Sequence, residues 1–258
     1  MSDLVPAIQR LIRQQAAPED LDQILAACAD GRLVMASGEG AVAIGGSADG
    51  AIIITGDNTR FELSAGALFY LMQRYTPPAW DGAERTDCAP LPPGSRLPYP
   101  RNDCFVGRAR ELKQLAGCLL GGGQNALVNA LLPGPGGLGK TQLAVEFCYR
   151  YGRHFHGVHW INTTLDFNAE LAACGAAMSL PGWPAELPQQ AALTLRAWQG
   201  GGRPRLVVLD NLDGDEAAQA LPEMLARLNG LRVLVTSRRK EFPAQHRLQA
   251  LPLPLMSV

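Results

Sequence analysis

The run Gly134-Pro135-Gly136-Gly137-Leu138-Gly139-Lys140-Thr141 constrains this chain more than any other feature, because it meets G-x-x-x-x-G-K-[ST] at every fixed position. Phosphate oxygens need several donors converging from one side. Glycines supply them, since successive backbone N–H groups can turn inward with no side chain in the way. In this pattern Lys140 reaches the β- and γ-phosphates and the Thr141 hydroxyl is placed to ligate Mg²⁺. Gln142, next in the first turn of the following helix, joins Gly134–Thr141 as a candidate nucleotide contact. The flanks agree with the motif. Residues 126–132 form an apolar run of buried-strand length, and Leu143, Val145, Phe147 and Tyr151 recur at helical spacing. Strand, loop and helix in that order place a phosphate at a helix N-terminus, where the partial charge is positive. Gly134, Gly136 and Gly139 also spell the dinucleotide fingerprint G-x-G-x-x-G. That fingerprint expects an acidic residue at the end of the next strand, and Gly157–Asn162 ends without one.

The 258 residues hold one medium domain plus a small one, and 47% hydrophobic residues suffice for a buried core. A net charge of −1 creates no global field toward nucleic acid or an anionic membrane, so neither is expected as a partner. The six cysteines contain no C-x-x-C pair and read as free thiols in a reducing compartment. Asp3 and Arg10 interrupt any apolar stretch at the N-terminus, and no window approaches a membrane span, so the expected location is cytoplasmic.

Residues 1–75 form one compositional block, expected as a small α+β domain. A helix should begin at Pro18-Glu19-Asp20 and run to Cys28; two β-branched runs at 41–44 and 51–55 flank an Asp-Gly turn; a further helix is expected near 64–75. Between Thr76 and Asp103 lie seven prolines, too many for a helix or a central strand. This segment reads as a semi-rigid linker, or as one that in part packs along the domain after it. From residue 104 onward strands alternate with helices: strands at 126–132, 157–162, 205–210 and 231–236, and helices at 140–151, 168–178, 187–199 and 216–229. Continuously apolar strands in such alternation predict an α/β fold with a parallel sheet covered on both faces.

A phosphate cradle needs a second Mg²⁺ anchor, typically a carboxylate closing a buried strand. Asp210, ending Leu206-Val207-Val208-Leu209 and 70 residues after Lys140, is that candidate. The last strand ends in Thr236-Ser237-Arg238, and parallel strands present their carboxyl ends to the ligand crevice. Arg238 is therefore the candidate sensor of the γ-phosphate, with Arg239 and Lys240 left at the surface. His154, His156 and His159 resemble a metal cluster by type but lack a fourth ligand nearby, and Cys148 has no base paired with it, so neither is assigned chemistry.

Taken in order, Phe105-Val106-Gly107-Arg108, the P-loop, Val158–Ile161, Leu206–Asp210 and Val235–Arg238 resemble the NB-ARC-type STAND NTPases over residues 104–251. The resemblance implies an ATP/ADP switch with Mg²⁺, in which Phe105, Val106, Gly107 and Arg108 lie against the adenine. It implies slow hydrolysis at most, because the position after the Mg²⁺ aspartate, often a second acid in that family, is Asn211 here; Asp213 is a candidate substitute. The block before residue 76 is weakly similar to segments preceding the ATPase in bacterial members, implying an adaptor for protein partners. In that family a helical subdomain and a winged helix follow, and the chain stops at Val258 before either. An open pocket, weak nucleotide retention and self-association or a protein partner are therefore expected, or else the chain is a fragment of a longer regulator. The rival is a P-loop enzyme such as a small-molecule kinase, which needs an acceptor pocket and a lid that the sequence does not spell out.

Overall fold

The computed structural model describes residues 6–7, 10, 17–29, 72, 75–121, 129–199, 204–239, 242–243 and 248–254. Its centre is a parallel sheet of β1 (Asn129–Pro133), β2 (Val158–Asn162), β3 (Leu206–Asp210), β4 (Arg232–Ser237) and β5 (Leu248–Ala250), in the order β2-β3-β4-β1-β5. The helices are α1 (Pro18–Ala29), α2 (Ala109–Leu120), α3 (Lys140–Tyr151), α4 (Phe167–Ala177), α5 (Leu187–Gln199) and α6 (Asp215–Arg227).

β3 explains the layering. Its residues alternate sides, as strand geometry requires. Leu206 and Val208 enter a core with α2 and α3, whereas Val207 and Leu209 enter a second core with α4, α5 and α6. A strand apolar on both faces is stable only between two helical layers, which is why its sequence runs without polar interruption up to Asp210. Within the second layer the helices pack closely. A Cβ on Gly175 in α4 would stand 2.0 Å from Thr194 Oγ1 of α5, so glycine is required where these helices cross. The α4 N-terminus is capped by Asp166, whose carboxylate accepts from Ala169 N at 2.8 Å.

The helices and strands expected from residue 129 onward form within a residue or two of their predicted bounds. β5 was not foreseen, since three residues carry too little pattern; it pairs with β1, and Leu251 N donates to Leu131 O at 2.8 Å just beyond it. In the N-terminal block, α1 begins at Pro18 as expected. Asp20 accepts from Ala17 N at 2.9 Å and from Arg10 Nε at 2.8 Å. The two β-branched runs at 41–55 lie outside the described residues, as does most of the helix expected at 64–75.

The proline-rich segment 76–103 lies along the sheet. Arg96 forms a parallel bridge with the edge strand β2: its N–H donates to Val158 O at 2.8 Å and its carbonyl accepts from Trp160 N at 3.0 Å. Upstream, Ala89 N donates to Tyr149 O and Arg85 N to Tyr151 Oη, so the chain runs along α3. Leu91, Leu97 and Tyr99 pack on the α3-side core. Proline excludes this stretch from a regular strand, yet a single non-proline residue suffices to cover the open edge of β2, the element most exposed to unwanted pairing. No helix among the described residues is long and apolar enough to cross a membrane.

Two expectations follow. In the native protein, trypsin should spare the Arg96–Leu97 bond, which is held in the β2 bridge, and cleave it readily once the protein is denatured; fast native cleavage there would contradict this packing. The second concerns His159, fully buried against Trp198 at 4.4 Å between ring centroids. Burial, reinforced by Arg205 and Arg96, holds its pKa well below the ordinary 6.5. Below that ordinary value the unfolded chain binds a proton that the folded chain refuses, so stability should fall as pH drops through about 6.5. His159→Phe should flatten this acid limb in urea titrations between pH 5 and 7; an unchanged limb would place the sensitivity elsewhere.

Candidate nucleotide site

All five strands run the same way, so their carboxyl ends share one edge of the sheet. β4 lies between β1 and β3, which sets its last residues between the P-loop and Asp210. Connections on either side of this point leave toward opposite faces, α3 toward one and α6 toward the other, the arrangement in which open α/β sheets take ligands.

The loop leaves β1 at Pro133 and turns through Gly134, Gly137 and Gly139, whose φ angles are 138°, 82° and 77°. These angles belong to glycine, the residue that lets a phosphate-binding loop turn its backbone N–H groups inward. A Cβ at Gly137 or Gly139 would meet nothing within 4 Å, so the backbone angle and not crowding asks for glycine at both. Gly139 is also the N-cap of α3 and brings no side chain to the helix's first N–H groups, leaving them for a ligand. Lys140 Nζ donates to Gly134 O at 2.7 Å and Pro135 O at 2.8 Å, which folds its ammonium into the loop. Burial lowers the Lys140 pKa, with Arg238 acting in the same direction and Asp213 and Asp210 opposing. Gln142 stands exposed in the first turn of α3.

Beneath the loop, Thr141 Oγ1 donates to Asp210 Oδ1 at 3.0 Å. Asp210 has no exposed surface. Its carboxylate also accepts from Thr236 Oγ1 and, at 3.3 Å, from Asn211 Nδ2. Its backbone carbonyl accepts from Thr163 N and Thr163 Oγ1, both at 2.9 Å. A hydroxyl and a carboxylate oxygen brought together are hard donors of the kind Mg²⁺ takes, so Thr141 and Asp210 fit that ion in type and proximity.

Thr236 is the residue sequence reasoning passed over. It binds Asp210 through its hydroxyl and accepts from Asn211 N at 3.1 Å, fixing the turn after β3. The signal was the Thr-Ser ending of β4, read for its arginine alone. Asn211 itself is left-handed at φ 63°, a conformation asparagine tolerates better than most residues.

Arg238 lies over the P-loop: a Cβ on Gly136 would be 3.7 Å from its Nε. Asp213 receives Arg238 N at 2.6 Å on one oxygen and faces Arg238 Nε at 3.1 Å with the other. Arg239 pairs with Asp215 at the start of α6. The Phe105–Arg108 element precedes α2. Phe105 packs on the α3-side core beneath the Arg150 guanidinium, 5.9 Å from its centroid, while Val106 is 71% exposed, the most open of the large hydrophobics described. Gly107 and Arg108 are both left-handed, at φ 74° and 59°, and Arg108 Nη1 bonds Glu111 at 3.0 Å. Arg232 Nε holds Leu119 O at 3.1 Å, pinning the last turn of α2 to the start of β4.

The histidines are placed apart. His154 Nδ1 lies 2.9 Å from Pro78 O, and His159 is inside β2 beside Arg205. Burial raises the Cys148 thiol well above its ordinary value.

No family model matches the chain. A protein named for disease resistance in Arabidopsis thaliana is 29% identical over 155 residues, covering 56% of this chain and 18% of its own length. The chain thus spans under a fifth of that relative. Among solved structures, the Orc1 protein of Aeropyrum pernix in complex with DNA is similar with a TM-score of 0.44 and 19% identity, over 62% of this chain and 48% of its own. A signal transduction ATPase with numerous domains and a tetratricopeptide repeat sensor from Pyrococcus horikoshii gives 0.37 and 20%, over 60% and 24%. These values assign no activity to this chain. The glycine loop at the end of β1, the helix that follows it and the all-parallel sheet are those of a P-loop NTPase-type nucleotide-binding domain.

Proposed function

We propose that this protein binds ATP or ADP with Mg²⁺ through Gly134–Gln142 and works as a STAND-type signalling switch that hydrolyses ATP slowly. The observation that carries the proposal is the Thr141–Asp210 hydrogen bond under a loop that already encloses the Lys140 ammonium. In this reading the loop N–H groups and Lys140 neutralise the β- and γ-phosphates. Thr141 and Asp210 hold Mg²⁺, which supplies charge neutralisation at the phosphates when bound. Val106, exposed beside the left-handed Gly107–Arg108 turn, offers an apolar surface to the base. The similarity to the disease resistance protein supports a signalling role, with the N-terminal block and a protein partner as its output.

Slow turnover follows from the residues around the γ-phosphate position. Asn211 can orient a water but cannot take its proton. Asp213, the candidate substitute base, accepts from the backbone N of Arg238 at 2.6 Å, a contact that stays whichever way the arginine side chain points.

Lys140→Ala removes a charge-assisted contact of about 1.5–3 kcal/mol, so calorimetry should show ATP affinity reduced roughly ten- to a hundredfold with the thermal unfolding profile preserved. Equal affinities would rule out the loop as the phosphate site. Steady-state hydrolysis should stay below about 0.01 s⁻¹, the order of a P-loop GTPase with its arginine in cis. Faster turnover, or phosphoryl transfer to a small acceptor, would favour an enzyme over a switch.

A further inference from the structure

The pairing of Asp213 with Arg238 fixes where the arginine beside the P-loop can go. Asp213 sits two residues beyond Asn211, just before α6, and grips Arg238 twice: at its backbone N, 2.6 Å, and at its side-chain Nε, 3.1 Å. The grip on the backbone sets the direction in which the side chain leaves β4. The grip on Nε holds the guanidinium beside Gly136, whose added Cβ would lie 3.8 Å from Cζ. The Arg238 side chain is 70% exposed and that of Asp213 29% exposed.

We infer that Asp213 is a latch on Arg238, a carboxylate that occupies the arginine until a γ-phosphate displaces it, and so sets how strongly the site prefers triphosphate over diphosphate. This rests on the nucleotide reading above. The physics is a competition between two anions for one guanidinium. An exposed carboxylate–guanidinium pair is worth no more than about fivefold in an equilibrium constant, whereas a terminal phosphate carries more charge and accepts arginine in bidentate geometry. The diphosphate ends short of the arginine and cannot compete, so only the triphosphate meets the cost of opening the latch. Asp213 is thus a positioning residue acting through Arg238, and the field of both reaches Lys140, whose pKa Asp213 raises and Arg238 lowers.

The test is a double-mutant cycle in the full chain, reading the affinities for Mg²⁺ with a non-hydrolysable ATP analogue and with ADP. Asp213→Asn keeps an acceptor for Arg238 N and removes the competing charge. It should raise the triphosphate-to-diphosphate affinity ratio by about three- to fivefold. In an Arg238→Ala background the same substitution should leave the ratio where Arg238→Ala alone puts it, a dependence that a merely structural role for Asp213 would not produce. A ratio that falls, or a rise that persists without Arg238, overturns the latch. Lys140-dependent binding with an unaltered ratio overturns the latch alone, and absence of binding by the wild-type chain overturns the latch together with the nucleotide reading.

Discussion

A carboxylate with no exposed surface organises the loop-bearing edge of this molecule. Asp210 closes β3, and its side chain and carbonyl take hydrogen bonds from Thr141 of α3, Thr236 of β4, Asn211 and Thr163. A buried carboxylate left without hydrogen-bond donors would be strongly destabilising, so its partners must stay where they are. The consequence is geometric: the start of the P-loop helix, the end of the central strand and the turn after β3 are registered against one another before any ligand arrives. Preorganisation of this kind is what a phosphate site requires, since donors already in place need not be ordered on binding.

The same edge would not hold its shape if the sheet were free at β2. The proline-rich segment covers that edge through Arg96, and its side chain continues the work, with Nη1 donating to Trp160 O at 2.8 Å and both Nη atoms near the Glu170 carboxylate. Glu170 in turn accepts from Asn162 N at 2.9 Å, at the carboxyl end of β2. A second buried carboxylate, Glu146 in α3, is held by Arg150 at 2.6 Å and faces Arg101 at 3.5 Å, which ties the segment leading to Phe105 onto the P-loop helix. The pairs Arg96–Glu170 and Arg101–Glu146 join the segment before residue 104 to α4 and to the P-loop helix, so the described part of that segment is structurally continuous with the sheet.

Much of this was legible in the sequence because the signals were local. Apolar runs such as Leu206–Leu209 have only one comfortable place in an α/β protein, and the glycines of the P-loop announce their own backbone angles. What escaped was long-range. Nothing in the letters around Arg96 says that it will pair with Val158 and Trp160, more than sixty positions away, and proline content argues for a spacer by composition alone. The role of Thr236 and the capture of Arg238 by Asp213 depend on β4 lying between β1 and β3, a neighbour relation that strand patterns do not encode.

The most direct measurement of the account is amide hydrogen exchange on the full chain with and without Mg²⁺·ATP. Occupation of the loop should slow exchange in peptides spanning 134–143, with smaller changes at 210–213 and 236–239, because the N–H groups of the loop exchange through water until phosphate oxygens accept from them. Protection confined to other parts of the chain, with 134–143 unaltered, would contradict the claim that this loop is the nucleotide site.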